Sequence, residues 1–292
     1  IIFIRLFHKI TGLRINGEYI AGAIALFALG YIIYGGTIGK RDFQIREVTL
    51  TFKDLPKQFN GYKIVQLSDI HSGSWTDGGR ALSKAVELSN SQNPDLIVFT
   101  GDLVNNIADE VAPYINILSG LKAKDGVYSV LGNHDYSPYI NWPSEKAKEE
   151  NLEKLMSYEA DMGWHLLNNA NVKLYRGNDS IALAGVENSG RPPFPDYGNL
   201  PKALTGTGNM FKVLLSHDPT HWRREVLPKS DVDLMLSGHT HNMQTSIFGF
   251  SPARFVYDEY DGLYSEDERK LFVNIGLGYL MFPLRIGAPP EI

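Results

Sequence analysis

Metal-binding side chains follow short apolar runs at several points in this 292-residue chain. Runs such as DLIVFTGD (95–102) and VDLMLSGHTH (232–241) each end in acidic or imidazole groups. Five of the eight histidines stand at such ends, which chance placement would not produce. The set offers two carboxylates, one amide oxygen and four imidazoles, enough to bind two divalent ions with open coordination positions. The candidate ligands are Asp69, His71, Asp102, Asn133, His217, His239 and His241.

The spacing of the last two histidines carries geometric information. Residues two apart in an extended segment point the same way, so GHTH can direct His239 and His241 to one place. Gly238 permits a sharp turn just before them. The sequence DIH does the same for Asp69 and His71. Each pair therefore predicts two ligands on one side of the backbone.

The donor types narrow the choice of metal. Mixed oxygen and nitrogen ligands suit Mn²⁺, Fe, Zn²⁺ or Ni²⁺ better than Ca²⁺, and we expect two divalent ions, with manganese first. Asp102 is the natural bridge, because one carboxylate can span two ions about 3.5–4 Å apart. The chain has no cysteine, which excludes thiolate ligands, thiolate catalysis and disulfides.

The elements that position these ligands form an alternating pattern. Near-continuous apolar runs are typical of strands buried on both faces, and the segments 79–92 and 144–163 between them read as helices. The alternation predicts an α/β fold with central sheets, whose strand ends carry the ligands. Residues 43–52 alternate imperfectly and are predicted to form a half-buried strand. The runs read as buried strands are 62–71, 95–102, 126–135, 181–188, 211–218, 232–241 and 271–278.

The N-terminal region differs from the rest of the chain. Residues 19–36 contain no charged side chain, which fits the roughly 17–25 residues needed to cross a bilayer. We expect a transmembrane helix over 19–37, a linker over 38–42 and a catalytic domain over 43–292. Residues 1–18 read as a juxtamembrane segment that includes the end of an earlier span. A buried core helix or a secretory signal segment remains the alternative for the apolar run.

Charge and composition limit the partners. The net charge is −5 with acidic and basic residues scattered, so no basic stripe for nucleic acid is present. No protein partner is implied. We expect location at the cell membrane, with a single span in this sequence and a soluble catalytic domain.

Five sequence blocks in order resemble the signature of the calcineurin-like metallophosphoesterases: DIH, GDLVNN, GNHD, LSHDP and GHTH, within 43–292. The resemblance implies a four-layer α-β-β-α sandwich. It also implies that Asp102 bridges two ions, and that His134 donates a proton to the leaving group. One ion would be bound by Asp69, His71, Asp102 and His241, and the other by Asp102, Asn133, His217 and His239.

The chemistry expected from such a centre is hydrolysis. A water that bridges two ions becomes hydroxide near neutral pH and can attack phosphorus in line. His134 would protonate the leaving oxygen, and Asp135 would hold His134 in the required tautomer. A non-catalytic metal-binding scaffold on the same fold is the main alternative, and a phosphomonoesterase or protein phosphatase is another.

Departures from the family pattern indicate the substrate. Protein phosphatases of the superfamily carry Asp-Arg-Gly where this chain has Asn105, Asn106 and Ile107, so a phosphodiester or pyrophosphate is favoured. The closing RIGAPPEI (285–292) is similar to a membrane-linked bacterial branch described as phosphodiesterases or as enzymes that cleave UDP-2,3-diacylglucosamine in lipid A biosynthesis. Arg285 and Asn105 are predicted to contact the substrate. Asn242 and Met243 depart from that branch.

Two apolar loops favour a lipid-linked substrate. The segments 246–257 and 276–287 place aromatic and aliphatic side chains near the predicted metal-bearing strand ends. Such residues can line an acyl pocket or touch a membrane surface, although a local core under long loops is an equal alternative. The residues are Phe248, Phe250, Phe255, Tyr279, Leu280, Met281 and Phe282.

Overall fold

Ten strands form two sheets in the computed structural model, which describes residues 17–292. The first sheet contains β1 (Ile64–Leu67), β2 (Leu96–Phe99), β3 (Val127–Ser129) and β4 (Trp164–Leu166). The second contains β5 (Ala170–Arg176), β6 (Asp179–Gly185), β7 (Lys212–Leu215), β8 (Leu234–Ser237), β9 (Gly262–Glu266) and β10 (Arg269–Val273).

Parallel pairing brings the strand ends to one edge of each sheet. The first sheet has the order β1-β2-β3-β4 and is parallel throughout. The second has the order β5-β6-β7-β8-β10-β9, in which β6, β7, β8 and β10 are parallel and the two outer strands are antiparallel. The last residues of β1 and β2, Leu67 and Phe99, are paired, so the loops that follow leave the sheet side by side.

Helices cover the outer face of each sheet. The described helices are α1 (Gly17–Thr37), α2 (Arg80–Ser91), α3 (Ile115–Leu118), α4 (Glu145–Asp161), α5 (Leu200–Ala203) and α6 (Leu227–Lys229). Helices α2 to α4 pack on the first sheet, and α5 with the π-helical turn Trp222–Val226 packs on the second. The side chain of Ser144 accepts a hydrogen bond from the backbone N–H of Ala147 and thereby caps α4.

Three apolar layers result from the alternation of side chains along the buried strands. On β2, Ile97 and Phe99 face the helices, whereas Leu96 and Val98 face the other sheet. On β7, Leu214 faces the helices on the other side of the molecule. Both faces of these strands are buried, which is why β2 is apolar throughout and β7 is apolar after Lys212. The predicted four-layer α-β-β-α sandwich is confirmed.

Helix α1 is apolar and lies mostly outside these layers. It has 21 residues, about 30 Å at 1.5 Å per residue, and Gly35 is its buried residue. With the short turn that follows it, Gly17–Arg41, it is long and apolar enough to cross a membrane, and a signal sequence near an N-terminus meets the same two criteria. The predicted juxtamembrane segment 1–18 lies almost wholly outside the described residues, and so does the predicted end of an earlier span.

The strand predicted over residues 43–52 is wrong. Only Gln44 forms a bridge in the described part of this segment, a parallel one with Glu291, and Arg46 donates its backbone N–H to the carbonyl of Ile292. The following residues have no regular secondary structure and lie largely exposed along one side of a cavity of about 870 Å³ between the sheets. Alternation in the sequence indicated one apolar face, but a strand also needs a neighbour for its backbone groups.

Candidate metal centre

The predicted ligands converge at the carboxyl ends of the strands in two adjacent groups. The first ligand cluster consists of Asp69 and His71, after β1, and His241, after β8. The second ligand cluster consists of Asp102, after β2, His217, after β7, and His239, after β8. Five of these six side chains are buried, and His239 is half-buried. Both sheets therefore contribute to both clusters.

Distances in the first cluster match a single coordination sphere. The Nε2 atoms of His71 and His241 are 3.0 Å apart. Asp69 Oδ1 lies 3.3 Å from Nε2 of His241 and 4.0 Å from Nε2 of His71. Ligand atoms about 2.0–2.2 Å from one first-row ion are themselves about 3–4 Å apart. These three atoms can therefore bind one ion together.

The second cluster has the same spacing and shares an atom with the first. His217 Nε2 lies 3.2 Å from Asp102 Oδ2 and 3.2 Å from Nδ1 of His239. Asp102 Oδ2 is also 3.7 Å from Nε2 of His71. The other oxygen of Asp102 accepts the backbone N–H of His134 at 2.8 Å. One oxygen of Asp102 thus faces both clusters, which is the position of a bridging ligand.

A buried amide oxygen without a hydrogen-bond partner and the close approach of two glycines to the carboxylates suit a site that binds metal ions. Oδ1 of Asn133 is buried and has no hydrogen-bond partner among residues 17–292, whereas its Nδ2 donates to Tyr139. A Cβ on Gly132 would lie 2.2 Å from Asp102 Oδ1, and one on Gly238 would lie 2.4 Å from Asp69 Oδ2. Only glycine permits the carboxylates to approach this closely. A free amide oxygen beside carboxylates and imidazoles suits a divalent ion.

Most of the imidazoles are held neutral, as metal binding requires. Burial lowers the pKa of His71 to about 3 and that of His239 to about 4. The pKa of His241 is also held well below its ordinary value by burial, by the neighbouring His71 and by the guanidinium of Arg285. Neutral imidazoles offer a lone pair without first losing a second proton.

His217 is the exception among the imidazoles. Burial opposes its charge, but the carboxylates of Asp102 and Asp69 raise its pKa to about 10. Its Nδ1 donates to the carbonyl of Thr100 at 2.7 Å.

The two carboxylates of the site differ in their pKa values. Burial works against ionisation of Asp102, yet His217 and His134 hold the pKa of Asp102 well below the ordinary value. Burial and Asp102 raise the pKa of Asp69 to about 6. Without metal, a proton on His217 offsets the charge of Asp102.

The backbone at the ligands is left-handed rather than extended. The φ angles are 51° at Asp69, 48° at His71, 61° at Asp102, 74° at His239 and 50° at His241. Such angles cost a non-glycine residue roughly 1–3 kcal/mol and concentrate at functional sites. The predicted extended geometry is therefore wrong. DIH still brings its two ligands to one cluster, whereas the two histidines of GHTH go to different clusters.

His134 lies beside both clusters, because its ring contacts His71 and its backbone N–H donates to Asp102. Its side chain is half-buried, and its ring centroid is 4.9 Å from that of His71 and 4.5 Å from that of Tyr139. Nδ1 lies 2.6 Å from the backbone carbonyl of Asn105, which can only accept a hydrogen bond. This contact fixes a proton on Nδ1 and leaves Nε2 available to exchange one.

Asp135 does not orient His134 as predicted. Its carboxylate is buried and accepts the backbone N–H groups of Asp102, Leu103, Val104 and Gly132 at 2.8–3.2 Å. Burial and Asp102 raise its pKa to about 7, and the backbone donors oppose that rise. Asp135 thus fixes the loop that carries the bridging carboxylate. The orienting group for His134 is a backbone carbonyl, which the sequence could not reveal.

Arg285 lies buried behind the first cluster. Only 1% of it is exposed. Its guanidinium donates to the carbonyls of Gly278, Ile275 and Ala288 at 2.6–3.2 Å, and Nη2 lies 3.1 Å from Nδ1 of His241. The predicted contact with a substrate phosphate would require this network to break. In the structure, Arg285 positions His241.

Asn105 lies in a turn held by a carboxylate. Its Nδ2 donates to Ser74 Oγ at 2.9 Å. The backbone N–H groups of Asn105, Asn106 and Ile107 donate to Glu110 at 2.5–3.3 Å. The carbonyl of Asn105, rather than its side chain, makes the contact with the predicted proton donor.

Two tyrosines contact the candidate ligands, although nothing in their sequence spacing predicted a role at the site. Tyr139 Oη lies 2.8 Å from Nδ2 of Asn133, and its ring contacts His134. Tyr257 Oη lies 3.1 Å from Nε2 of His239. With the proton on Nε2 shared with Tyr257, the Nδ1 lone pair of His239 faces the second cluster. Only the folded loops bring these hydroxyls to the ligands.

All seven candidate ligands and His134 fall within a segment that matches a known family. The sequence pattern of the calcineurin-like phosphoesterases matches residues 62–243. The chain belongs to this family. Calcineurin-like phosphoesterases use a dinuclear divalent metal centre, and the two ligand clusters are candidates for it. The predicted superfamily is confirmed, and with it the enzyme class at the level of the family, phosphoric ester hydrolase.

Relatives of this calcineurin-like phosphoesterase occur in vertebrates and bacteria. A transmembrane protein with metallophosphoesterase domain from Danio rerio is 30% identical over 287 residues, covering 95% of this chain and 62% of that protein. The protein of the same name from Bos taurus is 33% identical over 252 residues, covering 82% of this chain and 53% of that protein. The uncharacterized metallophosphoesterase YkuE of Bacillus subtilis is 29% identical and covers 94% of each chain. The chain thus spans less than two thirds of the two vertebrate relatives.

Two solved structures are also similar to this phosphoesterase. The phosphopantetheinyl hydrolase PptH from Mycobacterium tuberculosis has a TM-score of 0.45 and 13% identity, covering 76% of this chain and 94% of that one. A dimetal phosphatase from Danio rerio has a TM-score of 0.43 and 14% identity, with coverage of 74% and 88%.

Proposed function

We propose that this chain is a membrane-tethered dinuclear phosphoesterase that hydrolyses a phosphodiester or pyrophosphate bond. The observation that carries the proposal is Asp102, one oxygen of which lies within 4 Å of an imidazole in each ligand cluster. Two ions joined by one carboxylate would lie close enough to act on the same phosphoryl group. Family membership supports the same reaction class.

The first cluster with Asp102 would hold one ion, and the second cluster with Asn133 would hold the other. Two bound divalent ions supply Lewis acidity, which lowers the pKa of water and neutralises charge on phosphoryl oxygens. Manganese is the ion we expect first, because the donors mix oxygen and nitrogen. The buried carboxylate of Asp135 would keep Asp102 in the bridging position by holding its backbone N–H.

His134 would donate the proton that the leaving oxygen needs. The carbonyl of Asn105 holds the proton of Nδ1, so Nε2 is the atom that gives and regains a proton in each turnover. Its half-buried position leaves part of the side chain accessible to substrate. Tyr139, whose ring lies at an angle of 44° against that of His134, would restrict its rotation.

The charge near the bridging carboxylate supports a singly charged phosphoryl group. A diester carries one negative charge, whereas a monoester carries about 1.5–2 at pH 7. The turn at Asn105 and Asn106 presents no cationic side chain, and the carboxylate of Glu110 lies against it. Exposed apolar loops nearby support a lipid-linked substrate, and a nucleotide such as UDP-2,3-diacylglucosamine has the required pyrophosphate and acyl chains.

The test compares two chromogenic esters with the full chain in detergent. After chelation and dialysis, we expect added Mn²⁺ to restore hydrolysis of bis(p-nitrophenyl) phosphate far better than that of p-nitrophenyl phosphate. The Asp102→Asn variant should remain inactive with either ester. UDP-2,3-diacylglucosamine then serves as the lipid-linked substrate in the same assay.

The His134→Ala variant tests the proton donor separately. Turnover should fall roughly 10²–10⁴-fold for diesters with poor alcohol leaving groups and much less for p-nitrophenolate, which leaves without a proton. Equal losses for both leaving groups would remove His134 from proton transfer. Binding of two ions without hydrolysis of any ester would support the scaffold alternative. Preference for the monoester would overturn the substrate class.

A further inference from the structure

An exposed apolar surface lies on two loops, one after the ligand-bearing strand β8 and the other after its neighbour β10. We call it the apolar rim, and its residues are Ile247, Phe248, Phe250, Phe255, Met281 and Phe282. Phe248 is fully exposed, and Met281 and Phe255 are 85% and 76% exposed. Single apolar residues are common on protein surfaces, whereas a contiguous group of large ones marks an interaction site. Tyr279, in contrast, is buried against Trp75.

Backbone hydrogen bonds fix the two loops side by side. Thr245 forms a parallel bridge with Ile286, and the N–H of Ser246 donates to the carbonyl of Ile286 at 2.7 Å. Gln244 Oε1 accepts the N–H of Leu280 at 2.5 Å. The rings of Phe250 and Phe255 are 5.7 Å apart. The two loops that carry the apolar rim are therefore held next to each other.

The end of helix α1 packs directly against the second of these loops. The N–H of Arg285 donates to the carbonyl of Gly35 at 3.1 Å. A Cβ on Gly35 would lie 2.6 Å from Cγ1 of Ile286, and one on Gly39 would lie 2.4 Å from the carbonyl oxygen of Arg285. The carboxyl end of the candidate span is thus held beside the apolar rim.

One cation, Arg254, contacts this apolar surface, and two more follow α1. Lys40 and Arg41 follow α1, and the Lys40 ammonium lies 5.0 Å from the ring of Tyr279. The Arg254 guanidinium lies 5.5 Å from the ring of Phe250. Aromatic and aliphatic side chains flanked by lysine and arginine are the pattern of surfaces that enter the head-group region of a bilayer.

We propose that the apolar rim inserts into the membrane surface beside α1 and holds the metal centre against the lipid head groups. The bilayer is the occupant because the rim continues from the candidate span. The rim loops also hold the first ligand cluster: one begins just after His241, and the other carries Arg285 behind it. The inference rests on the proposed membrane attachment, and it adds a second contact that orients the catalytic face.

The absence of cysteine from the sequence makes a labelling test direct. Phe248→Cys and Met281→Cys in the full chain carry a nitroxide and are reconstituted into vesicles of phosphatidylcholine and phosphatidylglycerol. Tyr175→Cys is the matched control, because Tyr175 is exposed on β5, the strand of the second sheet farthest in order from β10, which precedes the rim loop that contacts α1. Leu26→Cys reports on α1 itself. Accessibility to oxygen and to a water-soluble nickel complex gives the depth of each label.

We expect the labels at Phe248 and Met281 to lie about 5–10 Å below the head groups, and the label at Tyr175 to remain in water. Labels at both rim positions in water would overturn the inference, whatever Leu26 shows. A lipid-exposed label at Leu26 with rim labels in water would keep the span and exclude rim insertion. Rim labels in lipid with Leu26 in water would support the inference and exclude the span.

Discussion

The two ligand clusters use similar donors but differ in how the protein prepares them. The first cluster is buried, its imidazoles are held neutral, and Arg285 stands behind His241. The second cluster contains His217, which retains a proton, and the half-buried His239, whose outer nitrogen contacts Tyr257. The imidazoles of the first cluster therefore carry no charge that would repel an ion at neutral pH, whereas His217 in the second must release a proton.

Asp102 explains why the two clusters cannot be independent. Its Oδ2 faces His71 in the first cluster and His217 in the second. Asp69 adds a further link, because its carboxylate accepts the backbone N–H of His239 at 3.0 Å. Similar ligands thus behave differently because their surroundings differ, and they act together because two carboxylates join them.

The largest effect is expected from Asp102→Asn, which should weaken both ions. Loss of several kcal/mol of electrostatic stabilisation corresponds to a fall in diester turnover of roughly 10³-fold. Asp69→Asn, the matched control, should weaken mainly the first ion. Metal content after desalting, measured by atomic emission, separates the two variants. Retention of two ions by Asp102→Asn would contradict the bridging role.

The next effect is a difference in the pH dependence of metal affinity. Protons compete with metal at His217, whose pKa is about 10, so the affinity of the second cluster should rise about tenfold per pH unit from pH 7 to 9. The first cluster should change little in this range, because its imidazoles are neutral and the pKa of Asp69 is about 6. Calorimetry with Mn²⁺ on His239→Ala and His71→Ala isolates each cluster. The same change of Mn²⁺ affinity with pH at both clusters would contradict the predicted difference in their protonation.

A smaller effect is expected from Tyr257→Phe, which removes the hydroxyl that contacts His239. Loss of such an outer contact lowers metal affinity roughly 10–100-fold, and we expect the lower end because the ring remains. Only the second cluster should respond, in the same calorimetric titration. Tyr175→Phe, an exposed position on β5, is the control. Equal weakening of both clusters would indicate a general change in the fold.

The smallest effect on metal binding is expected from Glu159→Gln. This variant separates the pH dependence of the free energy of unfolding from the pH dependence of metal affinity at the clusters. Glu159 is buried on α4, accepts a hydrogen bond from Ser129 Oγ, and has its pKa raised to about 8 by burial. Because the folded pKa exceeds the unfolded one, its stabilising contribution is complete below about pH 4.5 and is lost as the pH rises towards 8.

The metal-free free energy of unfolding should therefore fall by up to about 1.4 kcal/mol per pH unit across this window because of Glu159. Urea titrations at several pH values should show a reduced slope in Glu159→Gln, with unchanged Mn²⁺ affinity. Glu153→Gln, exposed on the same helix, is the control. An unaltered slope would show that Glu159 is not the titrating group.

The strand ends that carry the ligands could be predicted, because strands buried on both faces appear in the sequence as apolar runs. Strands with both faces covered must be apolar throughout, so the first polar residues after β2, β7 and β8 mark the edge where ligands gather. The outer strands β4, β5 and β9 were not predicted, since edge strands with partly exposed faces lack such apolar runs.

The division of ligands into clusters could not be obtained from residue spacing alone. That prediction assumed extended backbone, whereas His239 and His241 have φ angles of 74° and 50°. Left-handed geometry at non-glycine residues is imposed by tertiary contacts, which local preferences do not report. The roles of Asp135 and Arg285 depend likewise on backbone groups that loop folding brings to their side chains, so their residue types alone suggested contacts that the fold does not make.

The most direct test of the shared centre is electron paramagnetic resonance of the metal-free full chain titrated with Mn²⁺. Ions bridged by Asp102 about 3.5–4 Å apart should give an exchange-coupled signal that is complete at two equivalents. The Asp102→Asn variant should lose that coupled signal. Two uncoupled six-line signals, or saturation at one equivalent in the unaltered chain, would contradict a dinuclear centre joined by one carboxylate.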